Sequence, residues 1–209
     1  RTEIRLPFYC KVRPDSVSGE VADLLAGAGC TGVGVGIETA NDRLRNDILR
    51  RNMSQEEIIA GCRRLKERKI KIMAFNMIGL PGETVENVFE TMRLNAKCSV
   101  DYAMAMIMQP YPRTDIADYA VKEGFFDGDF ERLDYDYYSK SVLKFAGDRE
   151  RHMIENLQRL FAVGVEFPFT QRAIRWAARF PKNTFYLALF KFWHHHCFNR
   201  RFYGLGWLT

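Results

Sequence analysis

Along the first 124 residues, short apolar runs alternate with amphipathic stretches four times. Residues 4–12 read as a strand, and Arg13-Pro14-Asp15 closes it because proline cannot donate to a ladder. A helix follows from about Ser18, with Val21, Leu24 and Leu25 on one face, and ends at Gly29. Residues 31–37 form a second strand, in which Gly32, Gly34 and Gly36 alternate with Val33, Val35 and Ile37. One face of it is bare backbone, open to the close approach of a protein group or a ligand. After Glu38-Thr39-Ala40-Asn41-Asp42, Leu44, Ile48 and Leu49 mark a short helix. The capping box SQEE at residues 54–57 then opens a helix through about Arg68, its inward stripe formed by Ile58, Ile59, Cys62 and Leu65.

The chain is organised around residues 77–84, MIGLPGET. An apolar run (Ile70, Ile72, Met73, Phe75, Met77, Ile78) stops at Gly79 and Gly82, and a helix pattern with Val85, Val88, Phe89, Met92 and Leu94 opens at Thr84. The glycines permit positive φ and close approach to the backbone. Pro81 stiffens the turn, and Glu83 places a carboxylate at the helix entrance. Residues 101–108 form a fourth strand, with Met104, Met106 and Met108 on one side. It ends in Gln109-Pro110-Tyr111-Pro112-Arg113-Thr114, and a helix runs on to Gly124. Strand–helix units repeating at this spacing are what right-handed βαβ crossovers need, so the pattern predicts an α/β fold with a parallel sheet covered by helices. Four strands are too few to close a barrel of about eight. The first strand is therefore expected at an edge with its outer partners missing, and the chain is expected to be a piece of something longer.

Past Gly124 the pattern changes. Residues 125–138 are acidic and aromatic (Asp127, Asp129, Asp134 and Asp136 with Tyr135, Tyr137 and Tyr138). Residues 149–165 read as a helix with Ile154, Leu157, Leu160 and Phe161 inward, and Pro168 and Pro181 punctuate two more. In residues 184–198 aromatic side chains crowd a short helix, with Lys182, Arg200 and Arg201 flanking it and Phe202, Tyr203 and Trp207 beyond. The expectation is that this helix packs on the open side of the sheet or on a missing domain. The alternative is contact with a membrane surface, which would suit a lipid-like substrate. His194, His195 and His196 cannot all ligate one ion, because consecutive helical residues point about 100° apart.

Charge changes the picture only for this tail. Residues 1–150 carry 22 Lys+Arg against 24 Asp+Glu, whereas residues 151–209 carry 9 against 2. The basic side chains are not interleaved with loop aromatics as a strand-binding groove needs, so no nucleic-acid partner is expected. No stretch reaches the roughly 18 uninterrupted apolar residues of a membrane span, and no signal peptide opens the chain. The five cysteines (Cys10, Cys30, Cys62, Cys98, Cys197) include no CxxC pair. They read as reduced, mostly buried thiols of a cytoplasmic protein, membrane-associated if the tail docks.

In a parallel sheet the four strand ends share one edge, which is where α/β folds place ligands. They would bring together Arg13, Glu38, the Gly79–Glu83 turn, and Gln109 with Tyr111: a cation, a carboxylate, backbone donors and an aromatic ring. That set suits a zwitterionic ligand with a ribose and a flat base. Arg13 would fork a carboxylate, Glu38 would bond an ammonium or ribose hydroxyls, and the glycine turn would lie against the base.

The succession GIETAND, a capped helix, FNMIGLPGET and QPYPRT resembles the rear part of the radical SAM core, and most closely the branch whose members carry an N-terminal cobalamin-binding domain. The resemblance covers about residues 4–124. It implies a partial (βα)6 barrel, of which this chain would supply the third to sixth strands (residues 1–124). An acidic and aromatic connector and a basic helical extension (residues 125–209) would follow. It further implies S-adenosylmethionine on a [4Fe–4S] cluster, cleaved to a radical that starts methyl transfer, cyclisation or rearrangement on an organic substrate. By motif, Glu38 would contact the ribose or amino group of the cofactor. Ile78, Gly79 and Leu80 would lie along the adenine, Gln109, Pro110 and Tyr111 near it, and Arg13 would face the cofactor carboxylate or the substrate. The cluster-binding CxxxCxxC and the second-strand glycine motif are absent from the sequence, and any cobalamin domain would lie upstream. The chain alone is thus expected to bind no cluster, to contribute no catalytic or metal-ligating residue and to need the N-terminal part of the same protein. A non-catalytic α/β binding or scaffold module that has lost the cluster motif is the alternative.

Overall fold

The alternation of apolar runs and amphipathic stretches resolves into four strands in the computed structural model, which describes residues 6–133, 137–138 and 140–204. These are β1 (Phe8–Val12), β2 (Cys30–Glu38), β3 (Lys71–Ile78) and β4 (Tyr102–Ile107). All pairings are parallel and the order is β1-β2-β3-β4, so β1 lies at an edge as its position in the sequence predicts. Ile4, Asp134, Tyr135, Asp136 and Trp207 lie outside the described residues.

The crossovers that parallel pairing demands are α1 (Gly19–Gly27), α2 (Gln55–Glu67) and α3 (Val85–Lys97). Each starts on a side-chain cap that satisfies amides without an intrahelical partner. Ser18 accepts from the Val21 amide, and Ser54 with Glu57 and Thr84 with Asn87 form reciprocal boxes. The short helix expected around Leu44 is a wide π-type turn, Arg43–Ile48.

The two sheet faces are covered differently. Val33, Val35, Ile37, Ile72 and Ala74 bury against α1 and α2. After β4 comes α4 (Asp115–Lys122), and farther along that face α5 (Asp148–Glu166) sets Ile154, Leu157 and Phe161 against α3 and β4. After α6 (Gln171–Ala177) and α7 (Thr184–His194), the chain widens into a π-type segment, His195–Phe202, and reaches the opposite face. There Cys197 and Phe202 pack on Met73, Tyr102 and Met104. The Phe202 ring lies where a Cβ on Gly32 would be, 2.9 Å away. Lys71 Nζ donates to the carbonyls of Arg201 (2.6 Å) and Phe202 (3.3 Å), and the Tyr9 hydroxyl donates to the latter at 3.2 Å. The tail therefore straddles the β4 edge, with α5 on one side of the sheet and its last turns on the other.

The three histidines face three sets of neighbours. His194 Nδ1 lies 2.8 Å from the Tyr102 hydroxyl, His195 Nδ1 lies 3.0 Å from Asn199 Nδ2, and the His196 ring stacks beside Phe192.

Candidate functional site

Above the part of the sheet sealed by Phe202, the same face opens into a cavity of about 700 Å3 at the C-terminal edge of the strands. Its walls include Arg13, Glu38, Gln109 and Tyr111, which come from the ends of β1, β2 and β4. Its floor is apolar, formed by Phe75, Met77, Met106 and Met108. The volume is within the roughly 300–1,000 Å3 of small-molecule sites.

Glu38 owes its position to backbone geometry. It is a non-glycine residue with φ of 63°, at a bulge in the β2–β3 pairing. Holding a side-chain-bearing residue there costs on the order of 1–3 kcal/mol. The kink folds the carboxylate back over β2, and Gly36 leaves the room: a Cβ there would meet Glu38 Oε1 at 2.5 Å and Arg51 Nη2 at 2.8 Å. A Cβ on Gly34 would meet the Phe75 ring at 2.7 Å. The bare face of β2 is thus filled by protein at all three glycines.

Arg51 is a cavity residue that sequence reasoning misses. It lies 3.7 Å from Glu38, and its Nη2 donates to the Gly36 carbonyl at 3.3 Å. Burial pushes the Glu38 carboxyl up and the Arg51 guanidinium opposes that shift. The loop that carries both residues is held from inside by Arg45, which is 0% exposed. It donates to the carbonyls of Thr39 (3.1 Å), Ala40 (3.0 Å) and Met53 (2.8 Å) and pairs with Asp42.

Arg13 lines the cavity, but Asp15 already occupies its fork at 3.1 and 2.8 Å, and its Nη2 also donates to the Arg51 carbonyl at 2.7 Å. Its guanidinium is raised above the usual range by the hydrogen bonds to Asp15. A carboxylate ligand would have to compete with Asp15. Gln109 is buried, and its Nε2 donates to the Lys140 carbonyl at 2.9 Å. Its Oε1 has no hydrogen-bond partner among the described residues, and neither has the buried Nε of Arg51. The Tyr111 ring packs edge-on to Tyr137, with centroids 6.4 Å apart.

The central turn is placed differently from the expectation. Gly79 and Gly82 adopt φ of 72° and 76°, as a tight turn requires. Ile78, Gly79, Leu80 and Pro110 do not line the cavity. Ile78 and Leu80 are fully buried, and Gly79 faces Ile154 and Phe145 of the tail, each 3.6 Å from where its Cβ would stand. Glu83 stands at the helix entrance, directly before the N-cap Thr84, but its carboxylate does not cap the helix. It folds back so that the amides of Gly79 and Leu80 donate to its Oε2 at 2.5 and 3.2 Å. Burial drives its carboxyl up to about 8, against the pull of those two amides.

Four of the thiols lie in pairs on the helix-covered side. Cys10 and Cys30 have sulfurs 4.0 Å apart, Cys62 neighbours Cys98, and Cys197 is under the tail. None lines the cavity, and no group of three or more His, Cys, Asp or Glu that could hold a metal ion occurs among the described residues.

The family model described as the radical SAM superfamily matches residues 5–94. An uncharacterised methyltransferase of Pyrococcus horikoshii is 29% identical over 109 residues, 52% of this chain and 24% of that protein. A cobalamin-dependent S-adenosylmethionine radical enzyme, OxsB, superposes with a TM-score of 0.56 and 12% identity over 97% of this chain and 35% of its own. The radical S-adenosylmethionine methyltransferase TsrM of Kitasatospora setae does so with a TM-score of 0.50 and 24% identity, over 56% of this chain and 23% of its own. These two superpositions show a shared fold. The chain spans between about a quarter and two-fifths of the length of the curated relatives it matches. Residues 5–94 of this chain are thus similar to part of a radical SAM superfamily core.

Proposed function

We propose that the cavity at the strand ends binds S-adenosylmethionine within a radical SAM enzyme. In this reading the chain supplies the ribose and adenine side of the site, and residues outside it supply the cluster. The observation that carries the reading is the convergence of Glu38, Arg51, Gln109 and Tyr111 on one cavity with an apolar floor. The residues fit the cofactor. Glu38 complements an ammonium or ribose hydroxyls, and Arg51 complements a carboxylate. Gln109 has an unspent buried acceptor for an adenine amine, and Met77, Met106 and Tyr111 offer apolar and aromatic surface to the base.

The residues do not fit the cluster, which takes cysteine thiolates as ligands, since no cysteine lines the cavity. Cobalamin, which the OxsB structure contains, is assigned no residue here. When bound beside a reduced cluster, the cofactor supplies radical-forming cleavage of its own carbon–sulfur bond. The part of this chain's residues is to hold and orient it and to keep water from the apolar floor. The substrate and the reaction after radical formation belong to the whole protein.

Saturation-transfer NMR of the 209-residue chain with S-adenosylmethionine and with 5′-deoxyadenosine tests the reading. Transfer to the adenine protons of both is expected. Glu38→Ala should weaken binding of S-adenosylmethionine by about tenfold or more, the worth of one charge-assisted hydrogen bond, with an unchanged melting temperature. Absence of transfer from either compound, or equal transfer in Glu38→Ala and Tyr111→Ala, overturns it.

A further inference from the structure

Residues 167–204 contain seven Lys and Arg and neither Asp nor Glu. Large aromatic side chains stand in solvent along the same stretch: Phe169 is 83% exposed, Phe185 69%, Trp176 63% and Phe192 53%. They are not scattered singly. Phe169 touches Phe167, Phe167 touches Trp193 and Trp193 touches Phe192, at centroid separations of 5.9, 5.7 and 6.2 Å. Trp176 meets Phe180 at 4.6 Å. The Tyr186 hydroxyl, donating to the Ala177 carbonyl at 2.8 Å, fastens the start of α7 to the end of α6.

The cations alternate with these rings. Arg172 and Arg179 lie one turn from Trp176 on either side, while Ile174 points into the core. Arg175 and Lys182 are spent on Glu86 and Glu155, both at 2.5 Å. Arg172, Arg179 and Lys191 take part in no ion pair among the described residues. An exposed aromatic patch of this kind marks a contact surface, and unpaired cations set among the rings give it a charge preference.

We propose that α6 and α7 dock on an anionic lipid bilayer, with Phe169, Trp176, Phe185 and Phe192 in the headgroup region and Arg172, Arg179 and Lys191 on lipid phosphates. Amphipathic helices that lie in the interface combine these features: rings at the acyl boundary, cations on headgroups, and no span. No helix among the described residues is long and apolar enough to cross a membrane. The structure also places this surface differently from the membrane contact weighed as the alternative for residues 184–198. The end of that stretch turns inward onto the sheet, and α6 takes its place at the surface. A nucleic-acid strand would need a groove tracking its backbone, whereas the hollow beside α6, lined by Phe89, Arg93, Phe169 and Arg172, takes in only the first of these rings.

Co-sedimentation of the 209-residue chain with vesicles of phosphatidylcholine alone, and of phosphatidylcholine mixed with phosphatidylglycerol, tests this. Binding is expected only to the mixed vesicles. It should be lost at about 1 M salt, where the screening length falls to about 3 Å. The triple variant Arg172→Gln, Arg179→Gln, Lys191→Gln should partition on the order of 100-fold more weakly, given the usual contribution of each juxtamembrane cation. Phe169→Ala with Trp176→Ala should also lose binding. Both variants should melt with the wild type, since the side chains are exposed. Absence of binding to the mixed vesicles, equal binding to both, or wild-type binding by the variants overturns the proposal. So does a result in which the chain binds RNA or an acidic polypeptide through these residues and leaves vesicles untouched. The outcome is independent of what fills the cavity.

Discussion

Replacing Gly61 by alanine should destabilise the chain, although the same change in an exposed helix normally helps. Gly61 is in the interior of α2, where alanine is favoured by about 1 kcal/mol on helix propensity alone. Here the helix backbone runs against the turn that follows β1. A Cβ on Gly61 would lie 2.0 Å from the Pro14 carbonyl oxygen, 2.8 Å from its carbon and 3.3 Å from its Cα, against an ordinary contact of 3.4 Å or more. The two backbones would have to part by about 1.4 Å at the tightest atom. The turn is poorly placed to yield. The Ser16 amide donates to the Arg13 carbonyl at 3.1 Å, the Val17 amide to Pro14 at 3.3 Å, and Arg64 reaches across from α2 to the Val17 carbonyl at 2.9 Å. Overpacking of this kind costs about 3 kcal/mol. Subtracting the propensity gain leaves about 2 kcal/mol, and for a chain of this size that lowers the melting temperature by about 4–8 °C. Differential scanning calorimetry of Gly61→Ala against the wild type measures it. Because Pro14 follows Arg13, the cavity wall should shift too, visible as chemical-shift changes at Arg13 and Arg51. A melting temperature equal to or above that of the wild type would refute the packing assigned to this helix.

Three more outcomes are expected. Arg45→Met should cost about 3–5 kcal/mol in denaturant unfolding, because it strands the carbonyls of Thr39, Ala40 and Met53 in the interior; a loss below 1 kcal/mol would contradict its role. Glu83, held up to about 8 by burial, is protonated in the fold where the unfolded chain is already ionised. Stability from this group is therefore full below the ordinary Glu pKa and falls as pH rises towards about 8, with a slope of up to about 1.4 kcal/mol per pH unit. Urea titrations at several pH values should show that slope flattened in Glu83→Gln. Phe202→Ala should cost about 3–5 kcal/mol, the usual penalty for emptying a buried aromatic site; an unchanged unfolding midpoint would show that the tail does not hold the sheet face.

The elements and their order were legible because each signal is local. Period-two runs at Val33, Val35 and Ile37, the caps at Ser18, Ser54 and Thr84, and the glycine stop at residue 79 need no knowledge of the rest of the chain. That Glu38, Gln109 and Tyr111 share one cavity was legible for the same reason, as ends of strands whose direction was already known. Arg51 was not. It enters the cavity from a loop thirteen positions after Glu38, through a path set by the buried Arg45, and no pattern in RRN announces it. The Asp15 that takes the Arg13 fork is two residues away, so proximity could have suggested it; only the backbone turn shows that both ends of the fork are used. The glycine face of β2 was visible, but whether protein or ligand filled it was not, since Phe202 arrives from 170 positions downstream of Gly32. The tail hid its own layout for a related reason: aromatic residues on every side of residues 184–198 give no period from which to choose an inward face.

The placement of Phe202 has one more consequence. Phe75 and Met106 belong both to the cavity floor and to the cluster that the last turns press upon. The depth of the binding space is thus fixed by a segment far from the strands in sequence, acting as a stopper pushed in from below. The room in the cavity can therefore change without touching Glu38, Arg51, Gln109 or Tyr111. Shortening or swapping the stopper would lengthen the chamber by a layer of side chains, while the upper rim kept its chemistry.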